Sequence, residues 1–409
     1  MQTSQLIENL PTNPIRFLTP LVEAREKQGV NFFKINIGQP DLKTNPLLTA
    51  ELNRLANTSA YEHIAYTSAN GLYETREAWA QGYYEDKFKP EDVVLVNGGS
   101  EAMYLSYLCL LNQGEANLTF SPIYSNYIAF AKTTRRKIYS IPRKFSEGYH
   151  LPAKAEIEQF IKNHPDIKAI TIISPDNPTG AVLTKKEVHL IFELAEKYDL
   201  WVIIDEAYRD IRFDKSMLPV SDLIYTKDQW MERAVFIATV SKEFSACGLR
   251  FGALLSKNKE VVTGIIKLVR SRLSVNEITQ KISCKALNAP RSSRAKISSV
   301  YQKRRDVVID KLQQLNIDIH PPEGALYCLP DLKEVGIKDT FKFAKWLVEE
   351  FTVKQNGKEY SVVVTPGAGF FAESKPEYNS LIRIAYVLKE DCLSQAMDIL
   401  AQGIKQYTA

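Results

Sequence analysis

The sequence predicts an α/β protein, with a large domain built on a mostly parallel seven-stranded sheet and a smaller α+β domain beside it. Three observations lead there. The middle of the chain alternates short, nearly continuous apolar runs with longer amphipathic ones, as expected for strands that helices bury on both faces. The last third changes character, with long helical patterns and only short strands among them. Finally, 409 residues exceed what one hydrophobic core organises, so a second is expected.

In chain order, residues 1–45 carry prolines in "NPIRFLTP" and "NIGQPD" and are expected to pack with the small domain. The large domain is placed at 46–294. Its strands are "VVLVN" (93–97), "NLTFS" (117–121), "IYSIP" (138–142), "AITIIS" (169–174), "LWVIID" (200–205), "VFIATV" (235–240) and "GALLS" (252–256). Helical patterns such as "SEAMYLSYLCLLNQG" and "KKEVHLIFELAEKYD" lie between them. The small domain is placed at 295–409, with helices "SSVYQKRRDVVIDKLQQLN" and "TFKFAKWLVEEF" and strands in "YSVVVTP" and "SLIRIAYVL".

Composition narrows the function. The formal net charge is only +4, with basic and acidic residues interspersed, so no nucleic-acid partner is expected. No apolar stretch approaches the ~18 residues of a membrane span. The N-terminal "MQTSQLIENLPTNPIRF" has neither a basic start nor an apolar h-region, which makes a cytoplasmic chain the expectation. Cys109, Cys247, Cys284, Cys328 and Cys392 form no CxxC pair, and the histidines lack ligand spacing. Reduced thiols and no metal site are therefore expected.

In parallel α/β sheets, ligands bind beyond the carboxyl ends of the strands, so the residues that follow each apolar run matter most. After "VVLVN" comes Gly98-Gly99-Ser100-Glu101, opening a helix whose free N–H groups suit a phosphate. A plain tight turn explains that stretch equally well. "NLTFS" leads to Tyr124, "AITIIS" to Asn177 in "PDNPTG", "LWVII" to Asp205, and "VFIATV" to Ser241-Lys242. Singly, these read as core packing, a capped loop, a paired carboxylate and a solvated cation. Gathered at one sheet edge, they call for a ligand with a phosphate, a flat ring, a basic ring nitrogen and a group reactive toward an amine. Pyridoxal 5′-phosphate has all four.

The stretches "NIGQPD", "YTSANGLYETREA", "VNGGSEAM", "SPIYSNY", "SPDNPTG", "DEAYRD", "SKEFSACGLRFG", "PPEGALY" and "LIRIAYVL" follow one another along the chain. With them, nearly the whole sequence resembles the class I/II pyridoxal-phosphate aminotransferases of fold type I. The form "SKEFSACGLRFG" with "RIAYVL" is most similar to a bacterial branch described as aspartate aminotransferases. The resemblance implies that Lys242 bonds covalently to the cofactor and shuttles the substrate α-proton, and that Asp205 keeps the pyridine nitrogen protonated. It places Tyr208 and Asn177 on the ring hydroxyl and Tyr124 on the ring face. Gly99, Ser100, Glu101, Thr239, Ser241 and Arg250 would surround the phosphate. Tyr66 would reach that phosphate from the neighbouring subunit of a homodimer. Arg383 would clamp the substrate α-carboxylate, with Gly38 close to the substrate.

Amino acids and 2-oxo acids are the substrates so implied, exchanged by ping-pong kinetics, with aspartate and 2-oxoglutarate the expected pair. A distal carboxylate needs a further cation, for which "RSRLSVNEITQ" offers Arg270, across the dimer interface, or Arg272. A structural ion pair explains either arginine equally well. Fold type I also hosts β-lyases, decarboxylases and amino-acid oxidases, which keep the lysine and the aspartate. A non-catalytic cofactor-binding regulator is the remaining alternative. Such proteins usually carry an added DNA-binding domain, for which 45 residues before the sheet leave no room.

Overall fold

The computed structural model describes residues 4–8, 10, 14–58 and 64–409. Strand β1 (Val30–Lys34) belongs to a smaller sheet. The next seven form the central sheet: β2 (Val93–Val96), β3 (Ala116–Ser121), β4 (Lys137–Pro142), β5 (Ile167–Ile173), β6 (Trp201–Asp205), β7 (Ala234–Thr239) and β8 (Gly252–Leu255). Their spatial order is β2-β8-β7-β6-β5-β3-β4. Within this sheet β8 alone runs against its neighbours.

Successive side chains of a strand point to opposite faces. Ile203, Val235 and Ile237 therefore join one core layer, while Val202, Ile204 and Phe236 join the other. Helices Gly99–Leu110 and Lys259–Arg272 cover the first face, and helix Lys185–Lys197 covers the second. Each buried Val, Ile or Phe contributes ~1.5–3 kcal/mol, and the few polar side chains buried in these strands are hydrogen-bonded, Thr171 donating to Asn117, Asn117 to the Tyr107 hydroxyl and Thr119 to the Tyr139 carbonyl. Helix Lys185–Lys197 starts at a reciprocal cap, Thr184 accepting from the Glu187 N–H and the Glu187 carboxylate from the Thr184 N–H.

Five short strands complete the molecule: β9 (Tyr327–Cys328), β10 (Val353–Gln355), β11 (Lys358–Val363), β12 (Thr365–Pro366) and β13 (Ile382–Ala385). Sheet β1-β11-β10 joins the N-terminal segment to the C-terminal third, with Val30 opposite Glu359 and Lys34 opposite Val363. The long helix Arg291–Gln314 spans the expected boundary at 294/295. Its Arg294 bonds to Asp210 and the Tyr83 carbonyl, beside the central sheet, while Tyr301, Val308 and Leu312 lie in the second core. Among the described residues no helix is long and apolar enough to cross a membrane.

Candidate active site

A cavity of about 490 Å³ opens at the carboxyl ends of the central strands. Strand β6 delivers Asp205, 8% exposed. Its two oxygens accept from the Tyr127 hydroxyl (2.7 Å) and the Ala207 N–H (3.0 Å). Burial lifts this carboxyl above the usual range against those bonds. Beyond it, Tyr208 shares a hydroxyl–hydroxyl bond of 2.9 Å with Tyr327.

The neighbouring strand β7 ends in Thr239, whose hydroxyl donates to the Phe251 carbonyl (2.9 Å) and lies 2.8 Å from the Ser241 hydroxyl. Lys242 follows, its Nζ donating to the Gly38 carbonyl at 2.8 Å. Arg250 adopts the left-handed conformation (φ 49°) and donates to the Cys247 carbonyl at 3.0 Å. Its guanidinium lies against Gly98 (φ 82°), where an added Cβ would stand 2.9 Å from Nη2. Any other residue at Gly98 would be strained by both backbone and contact. Helix Gly99–Leu110 starts there with no side-chain cap, so its first N–H groups are free for an anion. Gly99 and Ser100 line the cavity.

Tyr124 forms another wall, with burial pushing its phenol up to about 12 and Asn126 donating to its oxygen at 2.7 Å. Strand β13 supplies Arg383, 1% exposed. One Nη donates to Asn177 Oδ1 (3.0 Å) and the other to the Asn36 carbonyl, while Nε has no partner among the described residues. The guanidinium stacks on Tyr327 at 4.4 Å and Phe370 at 4.9 Å. No carboxylate of the described residues pairs with it. At Gly38 a Cβ would land on the Tyr327 ring, so only glycine lets this segment approach.

Sequence reasoning and geometry part at a few positions. Glu101 was expected beside the phosphate, but its carboxylate turns away from the cavity. It accepts from the Asn97 N–H, which lies before the helix, and pairs with Arg272 Nε at 2.9 Å. Arg272 is thereby held in an ion pair and also donates to the Leu95 carbonyl, the arrangement of its structural alternative. Arg270 is exposed at a helix end and does not line the cavity of its own chain. Tyr66, 82% exposed, also stands outside that cavity. Residues without an assigned role that line it include Arg16, Asn126, Cys247 and Tyr327. Tyr327 lay in the quoted "PPEGALY", whereas nothing around Arg16 marked it.

An uncapped helix start with Arg250, a buried carboxylate, an amine and a buried unneutralised guanidinium fit a phosphorylated, cationic ring and an amino-acid carboxylate. Among the described residues, no three His, Cys, Asp or Glu side chains are placed to hold a metal.

A family model described as aminotransferase class I and II matches residues 30–400. The chain is similar to an aspartate aminotransferase of Thermotoga maritima, 27% identical over 399 residues and 97% of each chain. It is equally similar to aromatic-amino-acid aminotransferase 2 of Thermococcus litoralis, 27% identical over 417 residues and 99% of each. Among solved structures, the aspartate aminotransferase of Thermus thermophilus with maleate matches in fold, with a TM-score of 0.85 and 23% identity over 98% of this chain and 100% of that one.

Proposed function

Because the chain belongs to the class I and II aminotransferases, pyridoxal-phosphate-dependent enzymes of fold type I, we propose that its cavity holds pyridoxal 5′-phosphate and moves the amino group of L-aspartate to a 2-oxo acid such as 2-oxoglutarate. The observation that carries this reading is the placement of Lys242 and Asp205 beyond paired parallel strands, opening on one cavity. The cofactor supplies an aldehyde for an amine and an electron sink for the substrate α-carbon.

The chain's residues take the remaining tasks. Gly99 and Ser100 N–H groups, the Thr239 and Ser241 hydroxyls and Arg250 hold the phosphate. Asp205, costly to ionise alone, is matched by a protonated ring nitrogen. Tyr124 packs on the ring, and Asn177 and Tyr208 meet its hydroxyl. Lys242, whose Nζ reaches into the cavity, would take the α-proton. Arg383 offers its unpartnered Nε and an adjacent Nη to the α-carboxylate.

For the distal carboxylate, Arg16 is the candidate within one chain. It lines the cavity, and its guanidinium bonds to no described residue. Arg270 would have to come from a second copy. A homodimer is supported by the exposed apolar side chains Ile64, Tyr66 and Leu273, whose two segments are joined by the Thr67 N–H bonding to Ser274. Tyr66 would then reach the partner's phosphate.

The test is a donor screen against 2-oxoglutarate. Aspartate should outrun alanine, aromatic residues and arginine, and Arg16→Ala should raise KM for aspartate ~10-fold while sparing alanine. A parental aspartate KM in that variant would remove Arg16 from the account. Aspartate alone should stop after one half-turnover; sustained ammonia release would mark a lyase or oxidase.

A further inference from the structure

The amine and the ring-facing carboxylate sit on separate turns, and the β6–β7 ladder that aligns them ends at Asp205 opposite Ile237. What holds the two turns together beyond it lies behind the cavity. Glu243, next to Lys242, points inward and is 4% exposed. One of its oxygens accepts from the Asp210 N–H, on the turn that carries Asp205 and Tyr208. The other accepts from the Tyr83 hydroxyl at 2.8 Å.

Tyr83 is itself immobilised. It ends a π-helical turn, Ala78–Tyr83, a rare geometry that is frequent at functional sites. Its ring lies between Arg209 (5.4 Å) and Arg294 (4.7 Å), and its carbonyl accepts from both. Asp210 is pinned by Arg291 at 2.8 Å and Arg294 at 3.1 Å. No lysine or arginine of the described residues pairs directly with Glu243. A well-packed apolar side chain would fill that place without desolvating a carboxylate.

We propose that Glu243 is a positioning residue, a strut that ties the Lys242 turn to the Asp205–Asp210 turn and so sets where the amine can reach. The strut rests on the reading of Lys242 as the reacting amine. It acts through two directional bonds, and an error of ~1 Å in such placement costs as much as ~100-fold in rate.

The strut also carries a pH signature. The groups facing Glu243 are Asp210, with Arg212, from the turn after β6. Tyr83 at the end of the π-helical turn and Tyr84 just after it also face it, as does Arg294 from the long helix. Burial, then the Asp210 charge, lifts its carboxyl to about 7. The ionised form accepts both bonds; the protonated form gives up one acceptor.

The experiment compares Glu243→Ala, Glu243→Gln and Tyr83→Phe with the parent, all loaded with pyridoxal phosphate. Hydrogen exchange is followed across the chain, and kcat and KM are measured with the best donor. In Glu243→Ala, exchange in 205–212 and 241–247 should rise together by ~10-fold, with the rest unchanged. Its kcat should fall ~10-fold with KM within about twofold. Tyr83→Phe should show a smaller change in the same segments. Glu243→Gln should recover part of kcat and lose the rise in kcat near pH 7.

A folded Glu243→Ala with parental exchange and kcat would overturn the proposal, as would uniformly faster exchange everywhere. Should Glu243→Ala fail to fold, Tyr83→Phe decides by the same criteria. If the two segments loosen as described but Lys242 proves not to bond the cofactor, the role of Lys242 fails and the strut stands.

Discussion

Arg209 and Arg383 are the same residue type, and both are shielded from solvent, at 0% and 1% exposed. Their surroundings are opposite. Arg209 lies 2.9 Å from Asp222, 3.6 Å from Glu206 and 3.7 Å from Asp210. Burial would lower its guanidinium, but Asp210 and Glu206 carry it above the usual range. Arg383 has no such company, and burial pushes it down. One charge is balanced within the chain and serves the fold; the other is paired with no carboxylate of the described residues, as the proposed role in binding a substrate carboxylate requires. Internal charge balance, more than burial, separates framework from site.

The contrast yields outcomes that break or sharpen it. Arg383→Gln should lower kcat/KM for amino acids by ~10³-fold, the loss expected for one side of a buried charge pair. Melting should move by only a few degrees, because no carboxylate is orphaned. A kcat/KM within threefold of the parent would make Arg383 as structural as Arg209.

Arg209→Met should behave in the reverse way. It strips a cation from Asp210, Glu206 and Asp222 and should cost ~3 kcal/mol in denaturant unfolding. An unchanged midpoint would mean that the acidic groups find other partners.

A third outcome concerns pH. The Glu243 carboxyl is lifted from 4.5 to about 7, by burial first and Asp210 second. The folded chain therefore holds a proton there that the unfolded chain has released, and stability should fall as pH rises from ~5 to ~7.5. Glu243→Gln, with nothing to titrate at that position, should show a shallower fall in melting temperature. Equal slopes would remove Glu243 as their source.

The smallest effect is expected at the partly exposed Glu101–Arg272 pair. Arg272→Ala should cost ~0–1 kcal/mol and leave donor preference intact. A collapse of aspartate turnover would return Arg272 to the substrate pocket.

These residues also mark how far the sequence is legible. Strands such as "AITIIS" and "VFIATV" declare themselves because two covered faces favour an almost unbroken apolar run. Asp205 and Lys242 stand out because a charge ending such a run requires a partner. Glu101 was misplaced because its rotamer depends on the Asn97 N–H and on Arg272, 171 residues away. The pairing of β1 with β11 joins chain ends more than 320 residues apart, and no local pattern records it. Arg16 reaches the cavity because Ile15 is held by Asn36, and Phe17 stacks on Phe341 at 4.3 Å. Both contacts lie across the fold rather than along the chain. Glu243 was read only as part of a motif, since its partners Tyr83 and Asp210 come from distant segments.

The most direct test is chemical. After loading with pyridoxal phosphate, reduction with borohydride and digestion, mass spectrometry should find the cofactor's added mass on the peptide containing Lys242 and on no other. The mass on a different lysine, or on none, would contradict the account at its centre.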